Sequence, residues 1–469
     1  MNNKIIADLH LHSKYSRAVS QEMIIPKMAE WAVRKGIDLL GTGDFTHPLW
    51  LREIKSNLEP LGNGLFALKT PISHTPQSPP LFLLTAEVSS IYSQGGKLRR
   101  IHNLILAPSI ETVEKINDEL LKRGAPLFSD GRPMTGIPCP DLVKLVLSAD
   151  ENALIIPCHV WTPYFSLYGS ESGFDSIKEC FSEMAKNIYA IETGLSSDPA
   201  MNWRIKELEN LSIVSFSDAH SGPKLGREAT VFELEEVSYE NIRKAIIRSS
   251  DINHQTSDAN QSVDRLTSKP QINNQQSTTN NRISYTIEFY PEEGKYHYTG
   301  HRFCNVRQSP EETKRLGESC PVCGKHLTVG VIHRVEELSQ KISNFKFQIS
   351  NGVRWIYHSD GSRPPYVMLV PLSEILAESF GSLPTSQSVI NEYNNLTDNL
   401  GGEFKVLLEI PIEEISKISR PKVSEGIERV RKGEIVVEPG YDGVFGEVKI
   451  WPNKEEKTEE EKKQLSLFS

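Results

Sequence analysis

Along the first 250 residues, short apolar runs alternate with longer stretches in which apolar residues recur at three- and four-residue spacing. The runs are II at 5–6, IDLL at 37–40, LFLL at 81–84, LIL at 104–106, LII at 154–156, IYAI at 188–191 and IVSF at 213–216. Between several of them lie segments such as SIETVEKINDELLKRG and PDLVKLVLSADEN, whose apolar positions have the period of an amphipathic helix. Strands separated by helices predict parallel βα units, and about seven such units suggest a closed or nearly closed barrel. No internal repeat is evident.

The pattern breaks at residues 251–281, DINHQTSDANQSVDRLTSKPQINNQQSTTNN, which hold almost no large apolar side chain. Such a stretch cannot build a core and reads as a polar linker, 251–282, closing off a domain at 1–250. Beyond it we expect a zinc-binding α+β domain at 283–383, a helical region at 384–452 that is either a DNA-binding module or a cap, and a charged tail at 453–469. A length of 469 residues suits two or three domains. The net charge of −9 argues against a uniformly basic nucleic-acid binder and leaves room for a basic groove on an acidic body. No apolar run approaches the ~18 residues of a membrane span, and no signal-peptide core follows Met1. The expectation is a cytoplasmic, nucleoid-associated protein without a membrane partner.

The residues at the ends of the apolar runs carry the chemistry. IIADLHLH sets His10 and His12 two apart at the end of the first strand, where alternate side chains share a face. VSFSDAH does the same for Asp218 and His220, while Asp44, Glu87 and His159 come just after the second, third and fifth runs. Parallel barrels gather functional residues at the C-terminal ends of their strands, so these side chains should converge. A lone histidine is explained by packing; this set is not. A mixed imidazole and carboxylate shell suits divalent zinc, manganese, iron or magnesium, and a bridging carboxylate, for which we choose Glu87, lets it hold two or three ions.

Six cysteines lie at 139, 158, 180, 304, 320 and 323, and the clustering of the last three points to metal rather than to disulfides. In HRFCNVRQSPEETKRLGESCPVCGKHLTVG, His301 and Cys304 form one pair and Cys320 and Cys323 a second, fifteen residues apart. That spacing predicts one structural tetrahedral zinc, with His297 or His326 as substitutes for His301. Arg302, Arg307 and Lys325 nearby, and Arg354, Trp355, Tyr357, Arg363 and Tyr366 further on, interleave cations with aromatic rings as single-strand and backbone binding require. Arg17, Lys97, Arg99 and Arg100 flank the metal motifs and are candidates for clamping a DNA backbone.

DLHLHS, Asp44 in TGDFTH, Glu87, His102 in RRIHNLIL, His159 in PCHVWTP, and SDAH together resemble the motif pattern of the PHP (polymerase and histidinol phosphatase) metal-dependent phosphoesterases. The resemblance covers about residues 1–235 and implies a distorted (β/α)7 barrel with His102 as a further ligand. Two departures affect the metal count. Gly43-Asp44-Phe45 stands where many members have Thr-Asp-His, so that histidine is absent unless His47 replaces it, and Ser16-Arg17-Ala18 stands where an acidic residue is common. His102 precedes its apolar run, so its place rests on the resemblance alone.

Adding YHYTGHRFC, SPEE, CPVCGKHLTVGVIHRVEEL, RPPYVMLVPLSEILAE and PGYDGVFGEV, nearly the whole chain resembles the endonuclease Q family of DNA-repair nucleases, in its bacterial form. The resemblance implies hydrolysis of the phosphodiester bond on the 5′ side of uracil, hypoxanthine, xanthine and abasic sites in damaged DNA, by metal-activated water. Glu87, Asp218 and His159 would be the catalytic residues. The competing readings are a PHP-type small-molecule phosphatase and a non-catalytic DNA-binding scaffold. Finally, QLSLF near the C-terminus, with Gln464, Leu465, Leu467 and Phe468 behind a charged KTEEEKK spacer, resembles the pentapeptide by which bacterial repair proteins bind the sliding clamp. A preformed apolar pocket would take the leucines and phenylalanine, and tethering would raise the local concentration of enzyme on DNA.

Overall fold

The computed structural model describes residues 3–72, 78–251, 281–340 and 345–451. Most of the polar stretch at 251–282 and the clamp-like Gln464, Leu465, Leu467 and Phe468 lie outside the described residues. Among the described residues no helix is long and apolar enough to cross a membrane.

The chain is a mixed α/β protein built on one large sheet. Strand Asn3–Asp8 pairs in parallel with Leu39–Gly41, which pairs in parallel with Leu81–Gln94. The crossover between the first two is helix Ile25–Lys35. Proline near its start presets φ, and Gly36, at φ 81°, closes it with N–H bonds to Ala32 and Val33. Its Met28, Ala29 and Ala32 are buried.

The expectation of uniformly parallel units needs correction at the fourth run. LIL at 104–106 belongs to strand Lys97–Ala107, which returns antiparallel along Leu81–Gln94. The connection is only Gly95-Gly96, both at positive φ, which fits a tight hairpin and leaves no room for a crossover helix. The reversal brings the beginning of this strand to the same end of the sheet as the ends of its neighbours. His102 therefore lies opposite Ser89, two residues from Glu87, because it precedes its run. Leu154–Pro157 pairs antiparallel with Lys97–Ala107 and so runs with the parallel strands again. Ala190–Glu192 and Ser212–Val214 form a separate two-stranded parallel sheet, and a bridge between Leu11 and Ala219 ties the first strand's end to the last run's end.

The sheet also continues across the domain boundary expected near residue 283. Ala229–Leu234 pairs with Asn3–Asp8 on one side and with Arg282–Glu288 on the other, and Tyr366–Met368, Val353–His358 and Phe345–Ser350 extend the sheet further. Without Arg282–Glu288, strand Ala229–Leu234 would present an open edge of unpaired amides. Composition marked the polar interruption, while strand pairing unites its two sides.

The region expected to be helical holds helices Gln387–Leu400, Glu403–Leu408, Ile412–Ile418 and Pro421–Lys432, followed by a hairpin of Val436–Glu438 and Glu447–Lys449. It is anchored to helix Ile25–Lys35 by a buried ion pair, Lys35 Nζ to Glu403 Oε2 at 2.6 Å. Tyr393 Oη donates to the same carboxylate at 2.7 Å.

Candidate active site

At the end of the first strand, His10 and His12 are fully buried and face the same space. His12 Nε2 lies 3.2 Å from Glu87 Oε2 and 3.1 Å from Asp218 Oδ1; His10 Nε2 lies 3.7 and 3.8 Å from the same two atoms. On the other side of Glu87, its Oε1 meets His102 Nδ1 at 2.5 Å and His159 Nε2 at 3.2 Å. Glu87 thus stands between two donor groups, His10–His12–Asp218 and His102–His159, and within each set, Glu87 counted with the second, the ligand atoms lie within 4.8 Å of one another. His10 Nε2, His12 Nε2, Asp218 Oδ1 and His220 Nε2 are buried without a hydrogen-bond partner. Buried polar atoms without partners are rare and costly, and here they are aimed at a common centre. Divalent cations fit this donor set.

The backbone that delivers these groups is held in sparsely populated conformations. Asp44, His159 and Asp218 all have positive φ, at 47°, 30° and 46°. Such strain persists only where the surroundings over-determine it. Asp8 does so for Asp218, accepting from the amides of Ser217 at 3.0 Å and Gly226 at 2.9 Å. Gly131 passes so near Asp44 that a Cβ there would lie 2.2 Å from Oδ2, which explains a glycine at that position.

Several expected site residues take different places. Asp44, expected as a ligand, has both oxygens committed: Oδ1 to His12 Nδ1 at 2.9 Å, and Oδ2 to the amide and hydroxyl of Ser13 at 2.7 Å and to Ser16 Oγ at 2.8 Å. It orients His12 instead of facing the centre. Ser16, standing where an acidic residue is common in the resembled family, is a donor to this carboxylate. His47 does not substitute for the missing histidine; it stacks on Tyr15, ring centroids 4.4 Å apart. His220 stacks on His12 at 4.9 Å, with Nε2 3.8 Å from Asp218 Oδ1, and its side chain is 37% exposed at the mouth.

Three residues at the site escaped the sequence reading. Glu192 lies 2.8 Å from His10 Nδ1 and accepts the amide of His159 at 2.9 Å. It ends strand Ala190–Glu192, so the strand-end rule that singled out Glu87 applied to it as well. Arg132, on a loop without any periodic signal, donates to Glu87 Oε2 at 3.0 Å. Cys158 is buried beside His10 and Glu87, where burial holds its thiol well above the ordinary range and so protonated.

Charge at the centre is strongly coupled. Burial opposes ionisation of Glu87, yet His102 and Arg132 hold it well below the ordinary carboxylate range. Burial also works against charge on His10 and His12, but Glu192 and Asp44 raise both well above the usual imidazole value. His102 is pushed down to about 4, chiefly by burial. Protons on His10 and His12 and the charge of Arg132 therefore offset negative charge at this centre in the absence of cations, and bound cations would displace those protons.

His301, Cys304, Cys320 and Cys323 form a second convergent group, again within 4.8 Å, with Cys323 Sγ 3.5 Å from His301 Nδ1. His297 is buried against Tyr298 and His326 lies 3.8 Å from Glu318, so neither belongs to it. The intervening helix Pro310–Leu316 starts on a capping box, Ser309 and Glu312, written in SPEE.

The expected DNA contacts divide. Arg17 is exposed beside Asp130, and Lys97 lies at the tip of its hairpin. Arg100 lies over the ring of Phe165, which packs on His102. Arg99 turns inward, over Phe174 and onto the carbonyl of Gly173, and Arg354 lies over Phe347. Tyr366 is only 2% exposed and donates to Asp198, and Arg363 donates to the carbonyls of Leu208 and Leu211. Tyr366 is a core residue with no free face for a base, and Arg363 is half-buried with its guanidinium spent on backbone carbonyls.

Comparison with known proteins places this geometry. Residues 371–434, which hold the helical region's core, match the family described as the MJ0043 C-terminal domain. The protein MJ0043 of Methanocaldococcus jannaschii is 34% identical over 309 residues, 64% of this chain, and the chain spans only 32% of that relative's length. The crystal structure of the lesion-specific endonuclease PfuEndoQ from Pyrococcus furiosus matches with a TM-score of 0.75 and 29% identity over 97% of this chain and 99% of that one. Endonuclease Q in complex with a 27-mer duplex bearing an abasic lesion at the active site matches with a TM-score of 0.76 and 30% identity, over 97% and 98%. Sequence and fold agree over nearly the full length of both chains, and the chain belongs to the endonuclease Q family.

Proposed function

We propose that this protein is a metal-dependent DNA-repair endonuclease that hydrolyses the phosphodiester bond on the 5′ side of deaminated bases and abasic sites. The observation that carries the reading is Glu87, set between two donor groups, the first of which, His10, His12 and Asp218, turns buried atoms without hydrogen-bond partners toward a common centre. His10, His12 and Asp218 would hold a divalent ion on one side of Glu87, and His102 and His159 would hold one on the other. Zinc, manganese, iron and magnesium are candidates, and a third ion would draw on His220. When bound, such ions lower the pKa of water and neutralise charge on the attacking and leaving oxygens.

The chain's own residues supply the rest. Glu192 and Asp44 fix the ring orientations of His10 and His12 through their Nδ1 atoms. Arg132, whose side chain is 24% exposed, meets a phosphodiester entering from solvent with a fixed positive charge beside Glu87. A base whose altered edge is hidden in the duplex must be extruded to be read, so selectivity belongs to a pocket outside the donor groups. The likeness to an endonuclease crystallised on an abasic lesion supports damaged duplex DNA as the substrate class. The group His301, Cys304, Cys320 and Cys323 would hold a structural zinc.

The test is cleavage of a labelled duplex carrying one deoxyuridine or one abasic site in the presence of manganese or magnesium. Asp218→Asn is expected to abolish cutting and to keep duplex binding. Unchanged cleavage by that variant overturns the assignment.

A further inference from the structure

Between the cysteine group and the hairpin that carries Lys97 lies a cavity of about 330 Å³, lined almost entirely by polar atoms. Its lining includes five carboxylates, from Glu171, Asp175, Glu179, Glu318 and Glu337, against three cationic side chains, from Lys97, Arg99 and Arg334. Two of those cations are already engaged. Arg99 is turned onto Phe174 and the Gly173 carbonyl, and Arg334 pairs with Asp175 and with Glu337 Oε2. The cavity is therefore short of positive charge.

Glu318 and Glu337 line it, and with the neighbouring His333 they bring one ligand atom each within 4.8 Å of one another. His333 Nε2 stands 3.8 Å from Glu337 Oε1, beyond hydrogen-bond length and suited to an intervening atom. The residue is only 8% exposed and its Nδ1 is buried without a partner, so the ring has been removed from water with little return. On helix Val331–Leu338, His333 and Glu337 are four apart and share a face. Glu318 reaches them from the segment just before Cys320.

We infer that Glu318, His333 and Glu337 form a further cation site, taking a borderline divalent ion of the zinc class. One imidazole and two carboxylates match that class, whereas magnesium and calcium prefer oxygen alone. The ion would fasten the cysteine-bearing segment to helix Val331–Leu338, and through Arg334 and Asp175 to the first half of the chain. Its residues are separate from the donor groups around Glu87.

The experiment uses the full chain, stripped of weakly held metal by a mild chelator, then equilibrated with zinc and counted by mass spectrometry. Wild type is expected to bind one more zinc ion per chain than Glu318→Gln or His333→Gln, and to gain more thermal stability on zinc addition than either variant. Cleavage of a lesion duplex, and the thiolate-to-cobalt absorption of the cobalt-substituted protein, should be the same in all three, because the other two metal groups are intact. If His333→Gln fails to fold, the partly exposed Glu337→Gln carries the same expectation. Equal zinc content and equal zinc-induced stabilisation in wild type and variants overturn the proposal.

Discussion

Glu192→Gln removes one negative charge from behind the active site and leaves its shape unchanged. In the native chain the carboxylate lies 2.8 and 3.1 Å from His10 Nδ1, with both groups fully buried. A hydrogen bond to a charged group contributes about 1.5–3 kcal/mol net. Losing an orienting partner behind a metal ligand typically costs about 10–100-fold in metal affinity, which at ~1.4 kcal/mol per decade is the same range. Two independent routes therefore give one magnitude. The assay is cleavage of a labelled lesion duplex across a manganese titration. The variant should need about 10–100-fold more metal for half-maximal rate and should recover much of the wild-type rate when the metal is saturating. In the metal-free protein, the His10 proton monitored by NMR should leave at lower pH than in wild type, because Glu192 is the leading charge that raises it. A variant with the wild-type metal requirement refutes the assignment of Glu192 as the residue that positions His10.

The packing sets three further outcomes. Glu288 is pushed up from 4.5 to about 8, chiefly by burial. The folded chain then keeps a proton that the unfolded chain releases across that window, so stability falls as pH rises through it. Glu288→Gln should flatten the decline in melting temperature between about pH 5 and pH 8, leaving a residual slope from its buried neighbour Glu228; an unchanged slope counts against the account. Lys35→Met leaves Glu403 buried without its cation and should cost about 3–5 kcal/mol in denaturant unfolding, and a loss under about 1 kcal/mol would contradict the pairing. Cys320→Ser should release the zinc held with His301, Cys304 and Cys323 and lower the melting temperature, whereas retained zinc and an unshifted melt would show that the four residues do not act as one site.

The sequence by itself determined what depends on neighbours in the chain. Alternation along a strand made His10 and His12 a same-face pair, and the spacing of His301, Cys304, Cys320 and Cys323 marked two knuckles. Each apolar run became a strand for the same local reason. Only the tertiary structure decided which way each strand ran and what stood behind each ligand. Nothing in LIL at 104–106 distinguishes a parallel strand from its antiparallel partner; the direction comes from the two-glycine turn before it, and that direction is what brings His102 to Glu87. Asp44 carries the same carboxylate as Glu87, yet one has both oxygens taken by Ser13, Ser16 and His12 while the other stands between donor groups. Glu192, Arg132 and the pairing of Arg282–Glu288 with Ala229–Leu234 join residues tens to hundreds of positions apart. Hydrophobic period is a property of a window of chain, but the partner of a carboxylate is set by whichever segment the fold packs against it, and no local pattern records that choice.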